Sequence, residues 1–313
     1  MTVAAVLERW SRVTPFGARF VDDQDGRVVA DGLAVSAWPT AEPSRVLALP
    51  RTGGNAFYLM DAPGLRELSF AAGDAASWSA LPRQLAYTFE VEDLRGRFHA
   101  FRFAADLPHR GLFRFGCGSP PTPVPLPPGA EADGVPLFTA PARPATPGSV
   151  VLRAELWDGA NHTPAAWALL EARTPNARLR GEPPVRALAD HRGRVAMHFP
   201  VPEEQDFLGG PFDSPTGGAT APLAARSWVV EVDAFYGALR PAPLTERRPT
   251  PPVPDLCAAL NQPSVRLWDR LGGGAVELTQ ATLRYGQETF LESSDPGGEP
   301  PSVLLLTPST SPP

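Results

Sequence analysis

Proline runs through almost the whole of this chain, at 39 of its 313 positions. That is more than twice the usual share of about 5%. Each proline removes a backbone donor and fixes φ, so it breaks helix interiors and is confined in sheets to edges and turns. Prolines spread this widely leave room for many short strands joined by stiff loops, and for few, short helices. The fold class expected is therefore all-β, with two or more small β-sandwich modules joined by Pro-rich linkers. A hydrophobic share of 43% against 20% charged residues is that of a core-forming chain.

Where the prolines relent, apolar and polar residues alternate with the period of two that marks a half-buried strand. Leu85, Tyr87, Phe89 and Val91 form one such face, and Val150, Leu152, Ala154 and Leu156 another. Val195, Met197 and Phe199 make a third, which sets Arg194 and His198 on the opposite, solvent side. Trp228, Val230 and Val232 make a fourth. Further strands are expected at Leu33 to Trp38, Arg45 to Leu49, Ala56 to Met60, Arg97 to Phe103, Ala165 to Ala172 and Ser302 to Thr307. Helical patterns are confined to Asp255 to Asn261 and Val3 to Ser11, and Ala281 to Leu291 fits either period.

One punctuation mark recurs. Asp23-Gln24-Asp25-Gly26-Arg27-Val28, Asp93-Leu94-Arg95-Gly96-Arg97-Phe98 and Asp190-His191-Arg192-Gly193-Arg194-Val195 share the form Asp-x-x-Gly-Arg-apolar. An Asp at the start of a turn accepts hydrogen bonds from the amides that follow, and Gly supplies a positive φ, so each copy reads as a hairpin turn. The recurring turn registers repeated β units. The division expected is an N-terminal β-sandwich module at 1–117, a Pro-rich linker at 118–149, a second module at 150–204, and a β-rich region at 205–313 that completes or extends it. Phe207 to Ala225 and Pro241 to Pro254 read as further loops, and Thr307 to Pro313 as a tail that frays.

Whole classes of chemistry have no support in the sequence. All 28 basic residues are arginine, so neither a Schiff base nor a phosphate-loop lysine is available, and Gly272-Gly273-Gly274 is followed by none. The lack of lysine reads first as a GC-rich coding bias, although arginine also suits planar, bidentate contacts. With a net charge of −6 and scattered arginines, no nucleic-acid footprint is expected. Cys117 and Cys257 lack zinc spacing and read as reduced thiols, one or both buried. Met1 to Trp10 does not read as a signal peptide, and no apolar run approaches the roughly 18 residues of a membrane span. The expected place is the cytoplasm, with release as part of a particle left open.

The residues that could carry chemistry are few. Asp190, His191 and His198 would form a metal site only if two strands brought them together; Asp158 with His162 would form an acid–base pair. Glu203, Glu204 and Asp206 could hold calcium or flank a glycosidic bond, but read more simply as a solvated loop. Neither Ser36 nor Ser79 sits in a nucleophile elbow. Of the seven tryptophans (Trp10, Trp38, Trp78, Trp157, Trp167, Trp228, Trp268) most are expected in cores. Trp157, opposite Leu156, is the one expected at a surface, where aromatics suit protein or carbohydrate contacts. The expectation is of no catalytic residue, metal or cofactor.

The stretch Gly32-Leu33-Ala34-Val35 after Asp25-Gly26-Arg27, and Pro164-Ala165-Ala166-Trp167-Ala168 before the Asp190 turn, resemble carboxypeptidase-regulatory-like (transthyretin-like) β-sandwich modules. A longer set resembles the accessory structural proteins of phage-tail-like contractile injection systems. It comprises Asp106-Leu107-Pro108, Gly111-Leu112-Phe113, Pro136 to Pro144 and the strand Val150 to Glu155; the likeness runs from Phe16 to Pro202 and again through Ser302 to Pro313. That resemblance implies a non-catalytic component in the baseplate, fibre-attachment or sheath-associated region. Its partners would be the other subunits of a large symmetric particle, with no nucleic acid, membrane insertion or small-molecule substrate. Trp157, Phe138 and Arg143 are the candidate interaction surface. A free carbohydrate- or peptide-binding β-sandwich is the alternative.

Overall fold

The computed structural model describes residues 13–70, 84–118, 122–124, 134–145, 149–200, 227–237, 239, 253–271, 274–291 and 303–308. The expected helix at Val3 to Ser11, the loop at Phe207 to Ala225, and Trp10, Trp78, Ser79, Glu203, Glu204 and Asp206 lie outside the described residues. Among these residues the fold is all-β: short strands, one 3-10 turn (Arg66–Phe70) and two five-residue helices, Pro175–Leu179 and Leu256–Leu260.

The first unit is built on a four-stranded antiparallel sheet, in the order Leu47–Ala48, Leu33–Pro39, Leu85–Asp93, Phe101–Leu107. Alternation along Leu85–Asp93 sends Tyr87, Phe89 and Val91 inward, as expected of a strand with one covered face. Shorter pairings share the same core: Phe16–Ala18 with Phe57–Leu59, Phe20–Asp22 with Val28–Val29, and Gly116–Cys117 with Thr122–Pro123. Aromatic rings fill that core, with Phe16 stacked on Phe89 at 4.1 Å and Phe89 on Phe103 at 5.0 Å.

The second unit consists of two sheets over a separate core. In one, the ten-residue strand Ser149–Asp158 runs antiparallel to Arg194–Pro200 on one side. On its other side it pairs in parallel with Glu288–Leu291 and then Val303–Thr307, and the latter leads on to Ser264–Leu271 and Gly274–Glu277. The other sheet orders Val185–Leu188, Leu169–Arg173, Ser227–Phe235 and Gln280–Arg284, all antiparallel. The sheets join at a corner where Ala234 and Phe235 pair with Val265 and Ser264. Their inner faces (Leu152, Leu156, Met197, Val230, Leu283, Leu304) bury against each other.

Two expectations about organisation need correction. The stretch 118–149 is not merely a linker, since Thr122–Pro123 and Val135–Leu137 are strands of the first unit. Val135–Leu137 pairs in parallel with Phe20–Asp22 at the margin of its sheet, where Pro136 costs least. Among the described residues of the C-terminal third, the strands pair into the sheets of the second unit, but the helix Leu256–Leu260 buries Leu256 and Ala259 in the core of the first. Its expected span is otherwise well matched: Asp255 caps it by accepting from the Ala258 amide, and Asn261 ends it. The ambiguous stretch Ala281 to Leu291 resolves into two strands around Gly286, whose φ is 69°.

Candidate functional site

Buried polar contacts cross the seam between the two units, and the repeated turns lie beside them. In two copies the Asp and Arg of the motif serve the turn itself. Asp93 accepts from the Arg97 amide at 2.6 Å and from the Arg97 guanidinium through Nε and Nη2, both at 3.0 Å. Asp190 accepts from the amides of Arg192 (2.8 Å) and Arg194 (2.9 Å) and from Arg194 Nε and Nη2 at 3.0 and 2.7 Å. Burial works to raise both carboxyls, but these hydrogen bonds hold them below the ordinary carboxylate range. Gly26, Gly96 and Gly193 all carry the expected positive φ.

The first copy has the same length, but its turn closes one residue earlier, at Asp22 and not at the Asp of the motif, and that changes its use. Here Asp22 does the capping: its carbonyl accepts from the Gly26 amide and its Oδ1 from the Gln24 amide, both at 3.0 Å. Arg27 turns outward to Asp25. Asp22 is thereby open to Arg143, whose Nη2 lies 2.7 Å away. Asp23 is released from the turn and pairs with Arg186 of the second unit through Nε (3.1 Å) and Nη2. Burial pushes Asp23 up to about 6, with Arg186 pulling the other way.

Around that pair the seam is closed by further polar contacts. His99 is buried and its Nε2–H donates to the Leu188 carbonyl at 3.0 Å, while its ring meets Trp167 edge-on at 5.8 Å. Burial drives its pKa down to about 4, so the ring is neutral at pH 7. Gln262 donates to the Trp167 carbonyl at 2.7 Å and accepts from the Gly237 amide at 3.0 Å. Leu169 and Leu188, from strands of the second unit, pack into the core of the first. Cys117 and Cys257 are joined in a disulfide, which corrects the expectation of two reduced thiols.

The residues expected at an interaction surface are placed differently. Phe138 is buried at 1% exposure, under the Arg186 guanidinium, because the chain after Val135–Leu137 folds onto the Arg97–His99 segment. Arg143 is 13% exposed, held by Asp22, by Thr139 and by the ring of Phe98. Neither is offered to a partner. Trp157 is half-buried against Trp268, Val303 and Leu305, and its Nε1 donates to Glu155. Trp38, Trp167, Trp228 and Trp268 are buried, as expected.

The expected catalytic and metal constellations do not assemble. Asp158 is occupied by the amides of Ala160 and Asn161, by Asn161 Nδ2 and by the Tyr236 phenol, leaving no acid–base pair with the exposed His162. Asp190 is taken by Arg194, and among the described residues no group of three His, Cys, Asp or Glu could hold a metal. His198 is not solvent-exposed but 2% exposed, because the second face of its strand is covered as well, and neither ring nitrogen has a partner. Burial, then the nearby Arg143 and Arg153, lower its pKa to about 4. Ser36 lies mid-strand, opposite Glu90 and Ala48.

No family model and no curated protein matches the sequence. Among solved structures, a variant of the shaft pilin SpaA from Lactobacillus rhamnosus GG aligns over 95% of this chain and 98% of its own, at 7% identity and a TM-score of 0.20. A streptococcal ancillary pilin aligns over 94% of this chain and 63% of its own, at 10% identity and a TM-score of 0.19. At such scores the chain paths do not superpose.

Proposed function

We propose that this chain is a non-catalytic structural component that acts through protein–protein contacts in a phage-tail-like contractile injection particle, in its baseplate, fibre-attachment or sheath-associated region. The observation that carries the structural half of this reading is the seam: Asp23–Arg186, His99–Leu188 and Gln262–Trp167 all cross between segments and serve to hold two β units as one body. Chemistry at a reactive centre needs a polar group free to meet substrate. Here Asp93, Asp158, Asp190 and Glu288, the carboxyls held below their ordinary range among the described residues, each have structural donors on their oxygens. The particle itself is supported by the sequence resemblance running from Phe16 to Pro202.

The partners of this reading are the other subunits of a symmetric assembly, which multiply a weak contact by repetition. Trp157, which is only half-buried, is the residue we assign to such a contact. Burial of four other tryptophans weighs against a free glycan-binding protein. Sedimentation of a lysate from the native host decides the matter. The chain is expected to travel with a megadalton particle, and Trp157→Ala to reduce its share there without unfolding it. A chain found only as a monomer that binds glycans would overturn the proposal.

A further inference from the structure

The segment Val253 to Leu260 belongs in sequence to the second unit, between the strands Ser227–Phe235 and Ser264–Leu271, yet it is seated in the first. The Arg102 amide donates to the Pro254 carbonyl at 2.9 Å, and Arg102 and Asp255 form a parallel bridge. This caps the edge of the four-stranded sheet, whose outermost strand is Phe101–Leu107. Unpaired strand edges are sites of unwanted association, and covering them is a recurrent protective device. The helix that follows has only five residues, too few to persist without tertiary support. It is held by three things: Leu256 and Ala259, both fully buried; the Asp255 cap; and the Cys117–Cys257 bond.

We propose that Cys117–Cys257 is a redox latch that holds this segment on the first unit, and that the folded chain works in an oxidising compartment. Disulfides persist in such compartments and are rare where thiol reductants dominate. Cys257 is half-buried on the helix, whereas Cys117 is buried at 9% exposure, so the bond opens from the Cys257 side. In reduction by a dithiol, one thiolate attacks the Cys257 sulfur, the sulfur–sulfur bond breaks and Cys117 leaves as a thiolate that takes a proton. The donor's second thiol then displaces Cys257, giving two protein thiols and one oxidised donor. Released, the segment uncovers the edge of Phe101–Leu107 and the apolar seat of Leu256 and Ala259. The second unit's own sheets do not depend on the bond.

The test uses the full chain, oxidised and after dithiothreitol, with Cys117→Ala/Cys257→Ala as a permanently open control. Alkylation followed by mass measurement is expected to add nothing to the oxidised chain and two groups to the reduced one. Hydrogen exchange at the amides of Arg102 and of residues 255–260 should rise at least tenfold on reduction, with those of Leu152 and Met197 unchanged. The melting temperature should fall by roughly 10 °C, and the double variant should match the reduced chain and ignore dithiothreitol. Free thiols in chain prepared under oxidising conditions would overturn the latch. So would exchange unaltered by reduction, or reduction that unfolds the second unit along with the segment.

Discussion

Asp23 and Arg186 stand 163 residues apart in sequence and meet as a forked ion pair in the seam, their side chains 2% and 10% exposed. A buried pair of this kind gains little over apolar packing, but removing one partner strands the other charge. Arg186→Met is therefore expected to destabilise by about 3–5 kcal/mol, read from urea unfolding. Asp23→Leu combined with Arg186→Met should recover most of that loss. Equal effects of the single and double variants would mean that the pair contributes nothing as a pair.

Acid should weaken the fold through its histidines. Burial places His99 and His198 at about 4, below the ordinary value of 6.5, so the unfolded chain takes up their protons first. Their contribution is present above pH 6.5 and is lost as pH falls toward 4. Asp23, raised to about 6, has the opposite sign: its contribution is present below about 3.8 and lost as pH rises through 6. Asp22 and Glu171 are also raised by burial and share the sign of Asp23. Asp93, Asp158, Asp190 and Glu288 are lowered and side with the two histidines, so net stability falls on acidification. His99→Gln keeps a donor for Leu188 but nothing to titrate, and should remove on the order of 3 kcal/mol of the difference between pH 7 and pH 4. Unfolding curves for the variant and the parent that stay parallel across this range would refute it.

Much of the fold is legible in the sequence because strands with one covered face alternate visibly. Leu85–Asp93 and Ser227–Phe235 carry an uninterrupted period of two, and the Asp-x-x-Gly-Arg turns announce themselves through Asp and Gly. The pattern misplaces His198 because alternation tells which residues share a side, not whether the other side is also covered. Val135–Leu137 is three residues long and contains a proline, too short for any period to show. Arg97, Phe98 and His99 extend the turn instead of the strand, since they bond across to Phe138, Thr139 and Ala140. The seam is illegible for a different reason. Closure of the first turn at Asp22 hands capping to that residue and frees Asp23, and sequence spacing carries no sign of the arginine 163 positions away. The same distance problem hides the disulfide.

Replacing His198 with leucine should stabilise the protein at pH 7. Both ring nitrogens are buried without a partner, and a buried polar group left unsatisfied costs about 1–3 kcal/mol. Leucine removes that cost while keeping an apolar side chain on the strand. We expect a gain of about 1 kcal/mol in denaturant unfolding. A loss of stability would show that the imidazole has a function in the fold that its contacts do not reveal.

Gly193 and Gly96 occupy the same place in two copies of one turn, with φ of 77° and 67°, yet alanine should affect them unequally. A Cβ at Gly96 meets nothing within 4 Å, so Gly96→Ala carries only the left-handed backbone penalty of about 1–2 kcal/mol. A Cβ at Gly193 would stand 2.2 Å from the Leu156 carbonyl oxygen. That oxygen already accepts the Ala165 amide at 2.9 Å, and Leu156 itself donates to the Gly193 carbonyl at 2.8 Å. The clash cannot be relieved without parting the turn from the central strand of the second unit. Gly193→Ala is thus expected to cost about 3 kcal/mol or more, at least twice its counterpart, when the two variants are unfolded side by side in urea. Equal costs would show that Gly193 does not make this close approach.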